Sequence, residues 1–163
     1  MRRRGSVVGS AVILAIDPGT TQSGWCEFDG RVLNSGVLHN AHLLAAVEVY
    51  KSCDLAIEMV ASYGMPVGRE VFETVRWIGR FQQAFYDPEK VQLIYRREVK
   101  LHLCGSMKAK DANVWQALID KLGPVGTKKN PGPLYGVKSH ARSAVAVAVL
   151  AQHNLVQKSS IIL

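Results

Sequence analysis

The stretch Ala11-Val-Ile-Leu-Ala-Ile-Asp-Pro-Gly-Thr-Thr-Gln-Ser-Gly-Trp-Cys26 determines the fold that we predict for this chain. Residues 11–16 are all apolar and rich in β-branched side chains, which predicts a strand that is buried on both faces. The run ends at Asp17, where a Pro-Gly pair turns the chain. A carboxylate at the end of a buried strand is costly unless a cation or another partner compensates for it. Asp17 is therefore either a metal or phosphate site residue or the start of an ordinary turn, a position that aspartate favours.

Length and cysteine content favour one domain in a reducing compartment. With 163 residues the chain can bury a core without disulfides, and no repeat or linker divides it, so we expect a single domain over residues 1–163. Cys26, Cys53 and Cys104 form no CxxC pair, which is typical of core side chains in a cytoplasmic protein. No apolar run approaches the roughly 20 residues that span a bilayer, so we expect no membrane partner.

The positive charge is concentrated late in the chain. The formal net charge is +7; residues 1–120 carry 14 Lys or Arg against 13 Asp or Glu, whereas residues 121–163 carry six basic residues and no acidic one. Such an excess of positive charge favours a polyanionic partner, first of all nucleic acid. An ordinary solvated surface can have the same excess of basic residues. Residues 1–9 are basic but lead into Asp17 rather than into a small-residue cleavage site, which predicts a flexible arm and not a signal peptide.

The patterns along the chain predict one mixed α/β domain with the order β-β-β-α-β-α-β-α-α. After the first strand, residues 24–28 and 31–38 predict a hairpin with an Asp-Gly turn. The other predicted elements are a helix over 40–51, a strand over 54–60, a helix over 66–86, a strand over 91–95, a short helix or turn over 96–104, and helices over 112–122 and 141–151.

Turn and cap residues mark the later boundaries. Asp111 and Ser139 are predicted N-caps, and Gly123 is predicted to end the helix before it. Residues 124–137 hold three glycines, three prolines and Lys128-Lys129, which predicts a long basic loop that is functional or mobile. Arg76 belongs to a charged row on the 66–86 helix, which is either a solvated face or a phosphate contact.

Three motifs taken together resemble the RuvC-type Holliday junction resolvases of the RNase H-like, or retroviral integrase, superfamily. They are Ala15-Ile-Asp-Pro-Gly-Thr20 with Gly24, Leu55-Ala-Ile-Glu-Met-Val60, and Ser139-His-Ala-Arg-Ser-Ala144. The resemblance spans about residues 11–152 and implies an α/β RNase H-like fold, a five-stranded mixed sheet flanked by helices. Because the chain is short and lacks acidic residues at its end, it is most similar to the phage-encoded branch, which implies the cytoplasm of a bacterial host cell.

The resemblance also implies a catalytic site that binds Mg²⁺ or Mn²⁺, cations that prefer oxygen ligands. Asp17 matches the family's first-strand aspartate and Glu58 its fourth-strand glutamate, so both are implied metal ligands. His140 stands where some family members place a histidine, and Ser143 shares its helix face. The commonest family pattern, Asp-x-x-Asp-Ala, has a carboxylate where this chain has Ser143.

Three explanations of Ser143 are open. This branch of the family tolerates fewer carboxylate ligands to the metal, the serine is an engineered inactivating change, or another carboxylate contributes. Asp111 is the candidate carboxylate because it follows a basic segment that resembles the family's DNA-contacting region, although an N-cap role alone explains it.

The implied reaction is phosphodiester hydrolysis to 5′-phosphate and 3′-hydroxyl ends, assisted by two cations about 4 Å apart. On this hypothesis Asp17 bridges both metals, Glu58 holds one, and His140 ligates a metal or acts as a base.

The implied partners are branched DNA, in particular a four-way junction, and a second copy of the chain in a C₂ homodimer. Tyr63 is either a stacking wedge at the junction or a surface tyrosine. The candidate phosphate contacts are Arg76, Lys100, Lys108, Lys110, Lys128, Lys129, Lys138 and Arg142.

Three rival functions fit parts of the sequence. Asp17-Pro-Gly-Thr-Thr21 also resembles the phosphate loop of actin-type and sugar-kinase-type ATPases, but those proteins need two such domains, so we expect no nucleotide cofactor. The missing carboxylate at Ser143 makes a non-catalytic junction-binding protein a second rival. A flap or branched-DNA nuclease is the third, and it differs only in substrate preference.

Overall fold

A five-stranded sheet forms the centre of the computed structural model, which describes residues 11–162. The strands are β1 (Ile13–Asp17), β2 (Gln22–Phe28), β3 (Val32–His39), β4 (Asp54–Met59) and β5 (Gln92–Tyr95). Their order across the sheet is β3-β2-β1-β4-β5. β1 pairs antiparallel with β2 and parallel with β4, so the sheet is mixed, as predicted.

Helices cover both faces of the sheet. They are α1 (Asn40–Val49), α2 (Arg69–Ala84), α3 (Arg96–Cys104), α4 (Asp111–Leu122) and α5 (His140–Ile161), and a single 3₁₀ turn (Pro88–Lys90) precedes β5. α1 and α2 pack on one face through Leu43, Ile78 and Phe81. α3, α4 and α5 pack on the other, where α5 lies across the central strands.

Strand alternation determines which residues meet α5. Ala15 and Ala56 belong to the hydrophobic cluster on the α5 face, whereas Ile16 and Ile57 belong to the cluster on the opposite face. Both faces of β1 are therefore buried, which confirms the prediction from its continuous apolar run. Because side chains two positions apart share a face, Asp17 lies on the α5 face.

Small side chains let α5 approach the sheet closely. A Cβ at Gly24 of β2 would lie 2.3 Å from the backbone carbonyl carbon of His140, so this position requires glycine. Residues 144–151 of α5 are buried, which confirms that the Ala-Val alternation forms a buried helix and not a strand. The helix continues to Ile161, beyond the predicted end at residue 151. In this last part Leu155 still packs on the core, and the side of the helix that faces solvent becomes polar.

Several predicted boundaries differ from the structure. α2 begins at Arg69, with Gly68 as its N-cap, rather than at residue 66. Asp111 is the first residue of α4 and not its N-cap, because the Asn113 side chain accepts the Lys110 N–H and the Asp111 carboxylate turns to another partner. Ser139 precedes α5, but its side chain makes no capping hydrogen bond.

The loop over residues 124–137 is anchored at its base. It has no helix or strand of its own apart from an isolated bridge between Gly126 and Pro131. Leu134 and Val137 are buried in the α5-side core, so the exposed Lys128-Lys129 turn projects from a fixed base. The basic arm predicted for residues 1–9 lies outside the described residues. Within residues 11–162 the chain forms no helix whose length and hydropathy would allow it to cross a membrane.

Candidate active site

Two buried carboxylates lie side by side at one edge of the sheet. β1 and β4 are parallel neighbours in which Ile16 pairs with Ile57, so the next residues, Asp17 and Glu58, come level at the carboxyl ends of their strands. Both side chains are largely buried, with exposures of 14% for Asp17 and 13% for Glu58. The sheet therefore brings together the two carboxylates that the sequence predicted to be metal ligands.

Burial makes this pair costly to ionise. Loss of hydration raises the pKa of Glu58 to about 7, and the neighbouring charge of Asp17 is the second cause of that increase. Burial also raises the pKa of Asp17, although the hydrogen bond to His140 acts in the opposite direction. Two carboxylates in this setting favour a bound cation, which would offset the cost of their negative charge.

His140 joins the carboxylates from the start of α5. Its Nδ1 lies 2.9 Å from Asp17 Oδ2, which is a hydrogen bond that Nδ1–H donates when the carboxylate is ionised. The close packing of α5 on Gly24 places the first turn of the helix at this end of the sheet. A neutral imidazole that donates from Nδ1 keeps its lone pair on Nε2, where it can bind a metal or accept a proton.

A buried polar network fixes the loop that follows Asp17. Ser23 Oγ donates to Asn40 Oδ1 over 2.6 Å, and Asn40 Nδ2 donates to the Gly19 carbonyl over 2.9 Å. The Gly19 N–H in turn donates to Ser23 Oγ over 3.2 Å. The Pro-Gly turn beside Asp17 is therefore held rigidly by side chains from β2 and α1. Sequence reasoning did not predict this role, because Ser23 and Asn40 come together only after β3 pairs with β2.

Arg96 is the principal site residue that sequence reasoning missed. Its Nη1 lies 3.6 Å from Glu58 Oε2, an ion-pair distance beyond hydrogen-bond range, and donates to Ser143 Oγ over 3.4 Å. Its Nη2 forms a close ion pair with the Asp111 carboxylate, and this hydrogen bond lowers the pKa of Asp111. The available signal was a basic residue directly after β5, since β5 is the parallel neighbour of β4 and their carboxyl ends meet.

The donor set of this edge suits a hard divalent cation. Glu58 Oε2 is buried and makes no hydrogen bond within residues 11–162, so one oxygen of the pair has unsatisfied acceptor capacity. Two carboxylates suit Mg²⁺ or Mn²⁺, whereas an imidazole is a less usual ligand for these cations. Among residues 11–162, however, no three His, Cys, Asp or Glu side chains are already grouped closely enough to form a complete metal cage.

Ser143 and Asp111 lie on the Arg96 side of the site. Both line a cavity of about 380 Å³ between α3, α4 and α5, together with Arg96, Trp115 and Arg142. Asp111 is exposed and is paired with Arg96, which favours a role in holding the arginine over a role as a metal ligand. Arg142 stacks over the Trp115 ring at 4.1 Å and donates from Nε to the Val137 carbonyl.

Two of the other predicted DNA contacts adjoin this region. Tyr63 is exposed, has a positive φ of 50°, and lines a second groove of about 390 Å³ with Arg96, Arg97 and Lys100. The Arg97 guanidinium lies 5.7 Å from the Tyr63 ring centroid. Tyr63 and Lys100 therefore lie beside the carboxylate edge.

The remaining predicted contacts are distributed around the surface. Lys108 and Lys110 are exposed just before α4, and Lys138 is exposed just before α5. Lys128 and Lys129 are at the exposed turn of a loop whose Pro131–Pro133 side lies against residues 31–35 of the hairpin. The structure does not bring Arg76 to the site, because it projects from α2 on the opposite face and pairs with Glu73 at 3.4 Å.

Sheet order and helix placement define an α/β RNase H-like fold, as the sequence predicted. The chain is similar to the Thermus thermophilus RuvC structure, with a TM-score of 0.62 and 20% identity over 91% of this chain and 96% of that one. It is also similar to T. thermophilus RuvC in complex with Holliday junction substrate, with a TM-score of 0.62 and 22% identity over 88% of this chain and 96% of that one. No family model and no curated protein sequence matches the chain.

Proposed function

We propose that this protein is a metal-dependent, structure-selective endonuclease that cuts Holliday junctions or other branched DNA. The observation that carries the proposal is the buried Asp17–Glu58 pair, with His140 bonded to Asp17, at the carboxyl edge of an RNase H-like sheet. The overall similarity to a RuvC structure solved with a Holliday junction supports the same class of substrate.

Asp17 and Glu58 are the residues that would hold Mg²⁺ or Mn²⁺, which leaves His140 Nε2 free to accept a proton. When bound, the metal would polarise the phosphate and ease deprotonation of the attacking water. Because Glu58 must be ionised to bind a cation, and its pKa is raised to about 7, metal affinity should increase as the pH rises towards 8.

The protein's own groups handle the proton and orient the reacting atoms. In hydrolysis the water oxygen forms a bond to phosphorus while the bond from phosphorus to the 3′ oxygen breaks. The water proton passes to a base, for which His140 Nε2 is the candidate, and the 3′ oxygen gains a proton from solvent. The products are 5′-phosphate and 3′-hydroxyl ends. The hydrogen bond to Asp17 stabilises the imidazolium that forms.

Basic residues around this edge would bind the DNA backbone without reading its sequence. Lys100, Lys108, Lys110, Lys138 and Arg142 lie on segments that border the site, whereas Lys128 and Lys129 would contact a more distant arm of the junction. Tyr63, held in a positive-φ turn beside the groove, would stack on an opened base pair. Two symmetric cuts require two sites, so we propose a C₂ homodimer.

We also propose that the enzyme works in the cytoplasm of a bacterial cell and resembles phage-encoded members of the class. The three cysteines are unpaired, which fits a reducing compartment, and the region after residue 120 carries no acidic residue.

The test is to incubate the protein with synthetic four-way junction, Y-shaped and duplex DNA in Mg²⁺ or Mn²⁺ and to map the cuts. Paired symmetric nicks in the junction alone are expected. Asp17→Asn should bind the junction but leave it uncut, and Asp120→Asn, an exposed carboxylate on α4, should cut normally. Failure of the wild type to cut any branched DNA would refute nuclease function.

One observation favours a second candidate, a non-catalytic junction-binding protein. Ser143 contributes a hydroxyl that accepts from Arg96, where the resembled family has a carboxylate. Tight binding of the four-way junction without cleavage in Mn²⁺ would establish that function instead. Preferential cutting of the Y-shaped DNA would indicate a flap nuclease.

A further inference from the structure

Arg96 places a fixed positive charge inside the proposed catalytic site. Its side chain is 24% exposed and is held from two sides, by the Asp111 carboxylate through Nη2 and by Ser143 Oγ through Nη1. The guanidinium also lies within 3.6 Å of Glu58 Oε2. No other Lys or Arg forms an ion pair with Asp17 or Glu58 among the described residues.

Ser143 is a neutral partner of the Arg96 guanidinium. A carboxylate at position 143 would add a negative group for a second cation, whereas serine adds none and accepts a hydrogen bond from the arginine. The site thus lacks one anionic ligand and contains one permanent cation at the same point. A guanidinium is always charged and can donate two parallel hydrogen bonds to a phosphate, which a hydrated lysine does less well.

Phosphate can reach this arginine. Arg96 lines both the cavity of about 380 Å³ between α3, α4 and α5 and the groove of about 390 Å³ that contains Tyr63. Arg96 belongs to both linings, and its Nη1 lies 3.6 Å from Glu58 Oε2. A strand lying along this edge would pass over Arg96 and the carboxylate pair together.

We propose that Arg96 is a catalytic residue that contacts the scissile phosphate and supplies positive charge where a second divalent cation would otherwise act, so that each chain binds a single metal ion. This inference rests on the proposed function. Asp111 is then a positioning residue, which acts by holding the guanidinium. The inference also explains Ser143 without requiring an inactive protein.

Metal stoichiometry tests the inference without relying on activity. The wild-type protein, Arg96→Ala, and the double variant Arg96→Ala with Ser143→Asp are titrated with Mn²⁺, and bound metal is counted by electron paramagnetic resonance. One Mn²⁺ per chain is expected for the wild type and two for the double variant. Two Mn²⁺ ions per wild-type chain would overturn the inference.

Single-turnover cleavage of the four-way junction provides the second readout. At saturating protein, Arg96→Ala should lower the cleavage rate about 10²–10³-fold, as loss of one transition-state donor does, while the single Mn²⁺ remains bound. Arg96→Lys should be intermediate, and Arg31→Ala, in the hairpin turn at the opposite end of the sheet, should cut like the wild type. A thermal melt of each variant checks that the variant is folded before its cleavage rate is compared.

The two proposals fail in different ways. Normal cleavage by Arg96→Ala would refute the role of the arginine and leave the nuclease function intact. A wild-type protein that binds one Mn²⁺ but cuts no branched DNA would refute the nuclease function, while a single metal site would still be supported.

Discussion

Replacing Glu58 by glutamine is expected to stabilise the metal-free protein above pH 7 and to abolish cleavage. The carboxylate is buried beside Asp17, and its Oε2 makes no hydrogen bond within the described part of the chain. Glutamine has nearly the same shape but no charge to desolvate. Glu58, which the proposed function requires as a metal ligand, therefore destabilises the metal-free fold when its carboxylate is ionised.

The size of this stabilisation follows from the pKa of Glu58. That pKa rises from 4.5 to about 7 on folding, so between these values the folded protein binds more protons than the unfolded chain. The free energy of unfolding consequently falls as the pH rises through this window, and the loss is complete above pH 7. At 1.36 kcal/mol for each pH unit, the ionised side chain costs ~3 kcal/mol at pH 8.

Urea denaturation in EDTA at pH 5 and pH 8 measures this cost. The wild type should lose ~2.5 kcal/mol more than Glu58→Gln between the two values, since the rest of the cost is already present at pH 5, and Glu48→Gln, an exposed carboxylate on α1, should behave like the wild type. Added Mg²⁺ should raise the melting temperature of the wild type but not of Glu58→Gln. If Glu58→Gln is less stable than the wild type at pH 8, or if the two share one pH dependence, the reasoning is wrong.

Three further predictions concern packing, catalysis and DNA binding. Gly24→Ala should lower the free energy of unfolding by several kcal/mol in urea titrations, because its Cβ would meet the α5 backbone, whereas Gly79→Ala in α2, with open space around it, should raise it by ~0.5–1 kcal/mol. His140→Ala should reduce single-turnover cleavage about 10²–10⁴-fold with junction affinity in gel shifts preserved. If Lys128 and Lys129 contact phosphates, replacing both by alanine should reduce the slope of log affinity against log salt by about 1.8 in fluorescence anisotropy titrations.

The sequence predicted the part of the site that depends on local pattern. An apolar run that ends in a carboxylate identified both β1 and β4, whereas the family resemblance implied that Asp17 and Glu58 share one site. The last helix was also readable, because alanine-rich segments favour helices; it was predicted to begin at residue 141 and begins at His140. These strand and helix predictions required only period, length and residue type.

The remainder of the site depends on contacts between distant parts of the chain. Arg96 reaches Ser143 across 47 positions, and the contact exists only because β5 adds beside β4 rather than at the other edge of the sheet. Asp111 was predicted to be an N-cap because aspartate favours that position before a helix. In the structure, an ion pair with Arg96 determines the orientation of its side chain instead. Local propensity contains no information about which arginine will meet which carboxylate.

Backbone strain in the described chain is located beside the proposed site. Tyr63 and Ser139 are the two non-glycine residues with positive φ between positions 11 and 162, at 50° and 51°. Ser139 directly precedes His140, and Tyr63 lies in the groove beside Arg96. Such a conformation costs of order 1–3 kcal/mol in each case, and it persists only where surrounding packing enforces it. Here the burial of residues 144–151 fixes α5, so the chain must enter the helix through a strained residue. The core thus stabilises the position of His140 beside the carboxylates of Asp17 and Glu58.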